Sequence, residues 1–295
     1  MTSLTLNDGV SIPLLAYGTG TAILKSKTTI GGDVDSQVVN TIKLAIRAGY
    51  RHLDTAEMYL TEPELGVAIK ESIAEGIVKR DDLFVTTKIS SEFAQASKKI
   101  SVSLQKLGLD YVDLYLIHTP YLKGSDGDLQ GAWAAMEAVK ASGKVRSIGV
   151  SNYEESHLAE TLAAAKVPPS INQIEFHPYL QHGGLLAFSR ANGGGVATSA
   201  YGALSPVTRN IAGPLDETLA RLAAKYDVSA GMICLRWCID QDIVPERMAE
   251  YLRVFDFKLS PKEVQEIATA GVQSLKGEEL IPRVVQYHRM IEKSK

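Results

Sequence analysis

The sequence predicts an α/β protein folded as a (β/α)8 TIM barrel, with an N-terminal β-hairpin and a further helix or tail at its C-terminal end. Short runs of apolar and β-branched residues alternate with segments of helical period along the chain, which is typical of repeated β-α-β units and a parallel sheet. Eight such units within 295 residues favour a closed barrel over an open doubly wound sheet. No linker rich in Pro, Gly or Ser divides the pattern, so residues 1–295 are predicted to form one domain.

The strands are predicted in chain order. The opening stretch SLTLNDGVSIPLL indicates a hairpin that turns on Asn7, Asp8 and Gly9, and this hairpin precedes the first barrel strand. The eight candidate barrel strands are LLAYGT, RHLDTA, DLFVTTKI, VDLYLIHT, VRSIGVSN, SINQIEFH, GVATSAY and DIVP.

Helices are predicted between the strands because apolar residues recur there with a period of 3.6. In DSQVVNTIKLAIRAG, Val38, Ile42 and Ala45 share one face of a helix. The same period continues in EPELGVAIKESIAEG, ASKKISVSLQKLG and LQGAWAAMEAVKASGK. A glycine follows each of these helices, which is typical of a left-handed C-cap; the four are Gly49, Gly76, Gly108 and Gly143.

Composition excludes several classes of function. The formal net charge of −3 gives no general attraction to nucleic acid or to an anionic membrane. The first residues lack the pattern of a signal peptide, and no apolar run reaches the length of about 18 residues that a membrane span needs. A cytoplasmic protein is therefore expected. Cys234 and Cys238 lie four residues apart in a helical pattern without a second Cys or His pair, so they are interpreted as packed side chains, not metal ligands.

Polar side chains stand at the ends of six successive predicted strands. The carboxyl ends of all strands in a parallel barrel open on one face, and catalytic groups there come from different strands. Each of these residues alone has a plain structural explanation, but polar groups at six strand ends together indicate a site. In strand order they are Asp54, Lys88, His118, the pair Ser151 and Asn152, Gln173 and Tyr201.

These residue types, with Tyr59 five positions after Asp54, favour carbonyl reduction. No Ser or Cys nucleophile with an adjacent base is present to favour acyl transfer, and one carboxylate with one histidine is too little for a two-metal hydrolase. A tyrosine, whose pKa is about 10, becomes a proton donor when a neighbouring ammonium lowers that pKa. Lys88 is expected to supply the ammonium, Asp54 to hold it, and His118 to orient the substrate oxygen.

Six motifs in this order resemble the aldo-keto reductase superfamily over about residues 5 to 275. They are HLDTAEMYLTEPELGVAI, DLFVTTKI, VDLYLIHTP, GKVRSIGVSN, INQIEFHPYL and TSAYGALSP. In detail the chain is most similar to fungal ketone and conjugated polyketone reductases and to xylose-reductase-like members. The resemblance implies that NADPH binds in the barrel mouth without a Rossmann fold. This is consistent with the stretch from Gly18 to Ile23, which lacks the third glycine of a dinucleotide fingerprint.

The resemblance also implies roles for single positions. Tyr59 matches the general acid, Lys88 and Asp54 the pair that lowers its pKa, and His118 the histidine that orients the substrate. The implied cofactor-binding positions run from the nicotinamide side to the adenine side. Gly18 and Thr19 match the backbone at the nicotinamide ribose, Ser151, Asn152 and Gln173 the groups at the carboxamide, and Tyr201 the ring that stacks on the nicotinamide. Gly202, Leu204 and Ser205 match the loop over the pyrophosphate, Arg247 the 2′-phosphate contact and Glu250 the adenine contact. Asp54 is also counted among the cofactor-binding positions.

The chain departs from the family pattern at two places. Gly20 stands where the family has a tryptophan that walls the substrate pocket, and the loop YLKGSDGD is short, so an open pocket for bulkier ketones is expected. In DIVPERMAEYL only Glu246 separates Pro245 from Arg247, where the family has several more residues that clasp the 2′-phosphate. Either the clasp is lost or residues are missing from this sequence at that point, and the second interpretation is favoured.

The partner expected from these observations is a small-molecule carbonyl substrate, acted on by a monomer or a weak dimer. Two other classes of function stay open. One is a nucleotide-binding regulatory or scaffold barrel without physiological turnover, similar to the potassium-channel β subunits. The intact set of Asp54, Tyr59, Lys88 and His118 speaks against it. The other is a metal-dependent barrel hydrolase.

Overall fold

The computed structural model describes residues 2–20, 34–122, 127–209, 211–245, 253–277 and 280–293. The predicted hairpin is present as the antiparallel strands β1 (Ser3–Thr5) and β2 (Ser11–Pro13). Its turn is closed by a hydrogen bond of 2.9 Å from the Leu6 amide to the Val10 carbonyl. Gly9 has a φ of 84°, which suits glycine at this point of the turn.

Eight parallel strands form a nearly closed barrel, and they pair in chain order from β3 to β10. Each sequence-predicted strand is confirmed in type and order. Their bounds are β3 Ala16–Gly18, β4 His52–Asp54, β5 Phe84–Ile89, β6 Val112–Ile117, β7 Val145–Ser151, β8 Ile171–Glu175, β9 Ala197–Tyr201 and β10 Ile243–Pro245. The strands are almost wholly buried because one side faces the barrel interior and the other faces the surrounding helices.

Helices connect the strands around the outside of the barrel. In α1 the predicted face is buried, with Val38, Ile42 and Ala45 all packed inward, and Asp35 caps its N-terminus. Those that the structure describes are α1 Ser36–Ala48, α2 Glu62–Ala74, α3 Ala96–Leu107, α4 Leu129–Ala141, α5 Glu155–Ala164, α6 Leu185–Ala191, α7 Ser205–Thr208, α8 Pro214–Tyr226, α9 Ala230–Ile239, α10 Pro261–Ser274 and α11 Arg283–Lys293. The C-terminal helix α11 confirms the predicted extra helix.

The predicted glycine caps are confirmed. Gly49 and Gly108 are the C-cap residues of α1 and α3, with φ of 112° and 63°. An L side chain is strained in this left-handed region, so glycine ends the helix at low cost there. Gly76 and Gly143 lie one residue beyond the caps of α2 and α4 and also have positive φ.

The two cysteines lie in α9 and are fully buried, which confirms that they are packed side chains. Burial raises the pKa of the Cys234 thiol to about 12, so it stays protonated and unreactive near neutral pH. Within the described parts of the chain, no helix is both long and apolar enough to cross a membrane.

Candidate active site

The strand ends bring the predicted residues to the same mouth of the barrel. Asp54, Ser151 and Tyr201 are the last residues of β4, β7 and β9, Lys88 lies one residue from the end of β5, and His118 follows β6 directly. Parallel pairing aligns these ends, because Gly18 is opposite Asp54 in the ladder and Ser151 is opposite a residue of β8. The mouth is therefore a single polar surface built from separate strands.

A buried ion pair forms the floor of this surface. Lys88 and Asp54 are 0% and 1% exposed, and the Lys88 ammonium contacts Oδ1 of Asp54 directly. The same ammonium donates a hydrogen bond of 3.0 Å to the Thr55 carbonyl, and the Gln173 amide donates one of 3.0 Å to Oδ2 of Asp54. A charge pair is tolerated in such a dry place only when its remaining donors and acceptors are bonded, as they are here.

Tyr59 lies above the Lys88 ammonium. It is the last residue of a 3₁₀ turn, Glu57–Tyr59, which the left-handed backbone of Leu60 ends. The ammonium nitrogen lies 5.0 Å from the centroid of the Tyr59 ring. The phenol oxygen lies 3.3 Å from Nε2 of His118, and the two rings meet edge to face. The phenol is thus placed between a cation below and a histidine beside it.

His118 is held from three sides. Its amide donates to the Ile89 carbonyl at 2.9 Å, and its carbonyl accepts from the Asn152 side chain at 2.9 Å. Its Nδ1 lies 3.2 Å from the Ser90 hydroxyl. Burial, helped by the positive charge of Lys88, lowers the pKa of His118 to about 3. The imidazole is therefore neutral near pH 7, with one nitrogen as donor and the other as acceptor.

The residues predicted at the nicotinamide form one hydrogen-bond network. The Ser151 hydroxyl donates to the Gln173 carbonyl at 2.8 Å, and the Asn152 amide donates to the Ser151 hydroxyl at 3.0 Å. The Tyr201 hydroxyl donates to Oδ1 of Asn152 at 2.7 Å. Asn152 has a φ of 64°, a left-handed conformation that asparagine tolerates better than most residues. The structure therefore brings these four predicted residues together next to His118.

The predicted positions on the first barrel strand are also at the mouth. Thr19 is fully buried, and its amide donates to the Asp54 carbonyl at 2.9 Å. Its hydroxyl lies 2.8 Å from the hydroxyl of Thr61, so the side chain joins the protein interior. The Thr19 side chain is therefore not available to a ligand, whereas Gly18 beside it is partly exposed.

The predicted pyrophosphate loop is tied to the C-terminal helix. Gly202 follows β9 with a φ of 69°, Leu204 is buried, and Ser205 starts α7. The Ser205 hydroxyl accepts a hydrogen bond of 2.8 Å from the guanidinium of Arg283, and this guanidinium pairs with the buried Glu175 at 2.9 Å. The first residue of α11 therefore bridges the end of β8 and this loop.

Some predicted residues lie outside those that the structure describes. Arg247 and Glu250 fall within residues 246–252. The stretch between Pro245 and Arg247, where the family has the phosphate clasp, begins in the same range. Part of the short loop YLKGSDGD falls within residues 123–126. These assignments stay predictions. In the described residues, no group of three His, Cys, Asp or Glu side chains is arranged to hold a metal ion.

Sequence reasoning missed three features of the site. The first is Ser90, the partner of His118, and the second is Arg283, the partner of Ser205. The third is how closely Gly20 approaches Tyr59, since a β-carbon on Gly20 would lie 2.6 Å from the ring. Of the three, only Ser90 could have been found from the sequence. It directly follows β5, and His118 directly follows the neighbouring strand β6.

A phenol above a buried ammonium is suited to giving a proton to an oxygen atom, and the mouth of a parallel barrel is where such chemistry is built. The fold and the site together define an oxidoreductase that reduces carbonyl groups. Comparison with known proteins leads to the same class.

The model of the Aldo/keto reductase family matches residues 16–271. An NAD/NADP-dependent indole-3-acetaldehyde reductase of Schizosaccharomyces pombe is 37% identical over 275 residues, which cover 90% of this chain and 94% of that protein. Aldo-keto reductase family 1 member A1 of Homo sapiens is 34% identical, covering 89% of this chain and 87% of its own. The crystal structure of Bombyx mori aldo-keto reductase AKR2E4 in complex with NADP has a TM-score of 0.81 at 34% identity and covers 96% of this chain and 99% of that one.

The chain belongs to the aldo/keto reductase family. The predicted resemblance is confirmed, and the Schizosaccharomyces relative supports its fungal character. The predicted activity, NADP-dependent reduction of a carbonyl compound, is confirmed as the class of reaction. A regulatory or scaffold barrel without turnover is not favoured.

Proposed function

We propose that the protein reduces an aldehyde or ketone to the alcohol with NADPH, and that Tyr59 donates the proton. The observation that carries this proposal is the position of the Lys88 ammonium, which is held by buried Asp54 and lies 5.0 Å from the centre of the Tyr59 ring. A positive charge fixed beneath a phenol favours the phenolate over the neutral form. The phenol therefore gives up its proton more readily than tyrosine does in water.

The roles of the other residues follow from their contacts. Asp54 keeps Lys88 charged and in place, and its second oxygen is satisfied by Gln173. His118 is neutral, so it can hold the substrate oxygen by a hydrogen bond without bringing a second positive charge. The proton moves from the hydroxyl of Tyr59 to that oxygen, which is the step that general acid catalysis accelerates.

The residues at the mouth fit a nicotinamide cofactor. Ser151, Asn152 and Gln173 carry the donor and acceptor types that a carboxamide needs, and these groups hydrogen-bond within the protein in this structure. Tyr201 is partly exposed at the end of β9. When bound, NADPH supplies the hydride for the reduction. The backbone of Gly18, Thr19 and Gly202 and the residues Leu204 and Ser205 would line its ribose and pyrophosphate.

The substrate is proposed to be a carbonyl compound with a bulky apolar or aromatic substituent. Gly20 stands where the family pattern has a tryptophan, so no large side chain at this position takes up space in the substrate pocket. The space directly at its α-carbon is filled by the Tyr59 ring, which a β-carbon would approach to 2.6 Å. The relative from Schizosaccharomyces carries the name of an indole-3-acetaldehyde reductase, which is consistent with a substrate of this kind. We also propose that the protein is a monomer or a weak dimer and that it is located in the cytoplasm.

A screen of NADPH oxidation tests the proposal. The panel contains aldoses, simple aldehydes, indole-3-acetaldehyde, α-keto lactones, diketones and bulky ketones, each with wild-type protein and with Tyr59→Phe. We expect the bulky apolar carbonyls to give the highest kcat/KM and Tyr59→Phe to remove the activity. If the protein binds NADPH but reduces none of these compounds, the result would favour the regulatory barrel instead.

A further inference from the structure

We propose that Ser90 is a positioning residue that fixes the neutral tautomer of His118 with its proton on Nε2. The proposal rests on the function of Tyr59 and His118 proposed above. Its basis is a single contact: the Ser90 hydroxyl lies 3.2 Å from Nδ1 of His118, on the side of the ring opposite Tyr59. Nothing in the sequence motifs assigns a role to this serine.

The fold places the two side chains next to each other. In the ladder between β5 and β6, Ile89 is opposite Ile117 as the last pair, and Ser90 and His118 directly follow the two strands. The amide of His118 donates to the Ile89 carbonyl at 2.9 Å, which extends the ladder by one bond. The contact between serine and imidazole is therefore set by backbone pairing and not by two mobile side chains.

Ser90 is also tied to the turn that carries Tyr59. The Ser90 amide donates to the carboxylate of Glu57 at 2.8 Å, and Glu57 begins the 3₁₀ turn that ends at Tyr59. Lys99 holds Glu57 on its other side at 3.5 Å. One carboxylate thus fixes the serine relative to the phenol, so serine, imidazole and phenol form one connected unit.

The tautomer of His118 decides what the Tyr59 proton does. With the proton on Nε2, the imidazole donates to the phenol oxygen or, when substrate is bound, to the substrate oxygen, and in both cases the phenol keeps its own proton free to face the substrate. With the proton on Nδ1, Nε2 would accept the phenol proton and turn it away from the substrate. A hydroxyl at Nδ1 can donate to that nitrogen, and this stabilises the first arrangement.

The test uses the full chain with ¹⁵N-labelled histidine and the variants Ser90→Ala, Ser90→Thr and Ser91→Ala. The protein has six histidines, and His118→Gln assigns the resonances of His118. Long-range ¹H–¹⁵N spectra identify which ring nitrogen carries the proton. We expect the Nε2–H form in the wild type, Ser90→Thr and Ser91→Ala, and a mixture of both forms in Ser90→Ala. An Nδ1–H form in the wild type, or an unchanged tautomer in Ser90→Ala, would overturn the proposal.

Kinetics provide the second readout. Loss of one hydrogen bond is expected to lower kcat about three- to tenfold in Ser90→Ala. Ser90→Thr restores kcat because it keeps the hydroxyl, and Ser91→Ala leaves it unchanged. In the background of Tyr59→Phe, Ser90→Ala should have little further effect, since no phenol proton remains to be oriented. An equal loss in both backgrounds contradicts this role of Ser90. Full turnover by Tyr59→Phe would instead refute the function proposed for Tyr59, while the tautomer measurement would still decide on Ser90.

Discussion

The α-carbon of Gly20 packs against the ring of Tyr59. A β-carbon on Gly20 would lie 2.6 Å from Cε2 and Cζ of the ring and 2.9 Å from the phenol oxygen. This is far inside van der Waals contact, so the ring keeps its place only because residue 20 has no side chain. The orientation that brings the phenol to within 3.3 Å of His118 therefore depends on glycine at this position.

Gly20→Ala should lower kcat by roughly 10- to 100-fold, because a shift of about 1 Å in a reacting group has an effect of this size. NADPH affinity, measured by fluorescence titration, should hardly change. Gly66→Ala is the matched control, since its β-carbon would lie 2.5 Å from the Leu107 carbonyl, away from the mouth. That variant should lose thermal stability and keep its kcat. If Gly20→Ala kept the wild-type kcat, the position of the Tyr59 ring would not matter for turnover.

Tyr59→Phe should lower turnover by about 10²- to 10⁴-fold, the usual contribution of a general acid. The ring and its contact with Gly20 remain, so only the proton donor is lost. Binding of NADPH should be nearly unchanged in the same titration. A variant that retained more than about a tenth of wild-type turnover would show that another group donates the proton.

Lys88→Met should reduce activity almost as much, and the loss should depend on pH. Without the ammonium, the pKa of Tyr59 should return toward about 10, so the pH–rate profile should shift. Because this change leaves the carboxylate of Asp54 buried without its cation, the double variant Lys88→Met/Asp54→Asn serves as the folding control. An unchanged pH–rate profile in both variants would refute the coupling between Lys88 and Tyr59.

His52 should make the protein less stable in mild acid. Burial is the main reason why the pKa of His52 is lowered to about 4 in the folded protein. In the unfolded chain the pKa of this histidine keeps its ordinary value of about 6.5. Between these values the unfolded state binds the proton and the folded state does not, so the free energy of unfolding falls as pH decreases. The loss from this residue reaches about 3 kcal/mol near pH 4.

Urea unfolding at pH 7 and pH 5 checks this expectation. In His52→Gln the buried group no longer titrates, so the loss of stability between the two pH values should be smaller by about 2 kcal/mol. The amide can still reach the Thr86 hydroxyl, which lies 3.0 Å from Nε2 of His52. Equal losses in the wild type and the variant would mean that His52 is not responsible.

The barrel could be predicted because its signals are local. Each strand is a short apolar run and each helix has its own period, so alternation along the sequence gives the fold without knowledge of contacts. The strand-end rule then places Asp54, Lys88 and His118 at one mouth. The contact of Gly20 with Tyr59 and the bond between Ser205 and Arg283 could not be predicted. They join segments 39 and 78 residues apart through loops whose paths the hydrophobic pattern does not determine.

Selectivity for NADPH over NADH should depend on Arg247, although this residue lies outside the described part of the chain. A guanidinium binds a phosphate through two parallel hydrogen bonds, and such charge-assisted pairs are the stronger ones. Arg247→Ala should weaken NADPH by about 2–3 kcal/mol and NADH much less. Kd values for both cofactors, measured by fluorescence titration, check this.

Arg253→Ala removes the same charge six residues further on, where the guanidinium is exposed and pairs with Asp256 at 3.6 Å. It should leave both Kd values unchanged, which separates a direct phosphate contact from a general loss of positive charge. The short stretch between Pro245 and Arg247 is tested by the mass of the intact protein. If residues are missing from the sequence there, the mass exceeds that of the 295 residues. If the mass matches and NADH binds as well as NADPH, the phosphate clasp is lost and the preference for NADPH is wrong.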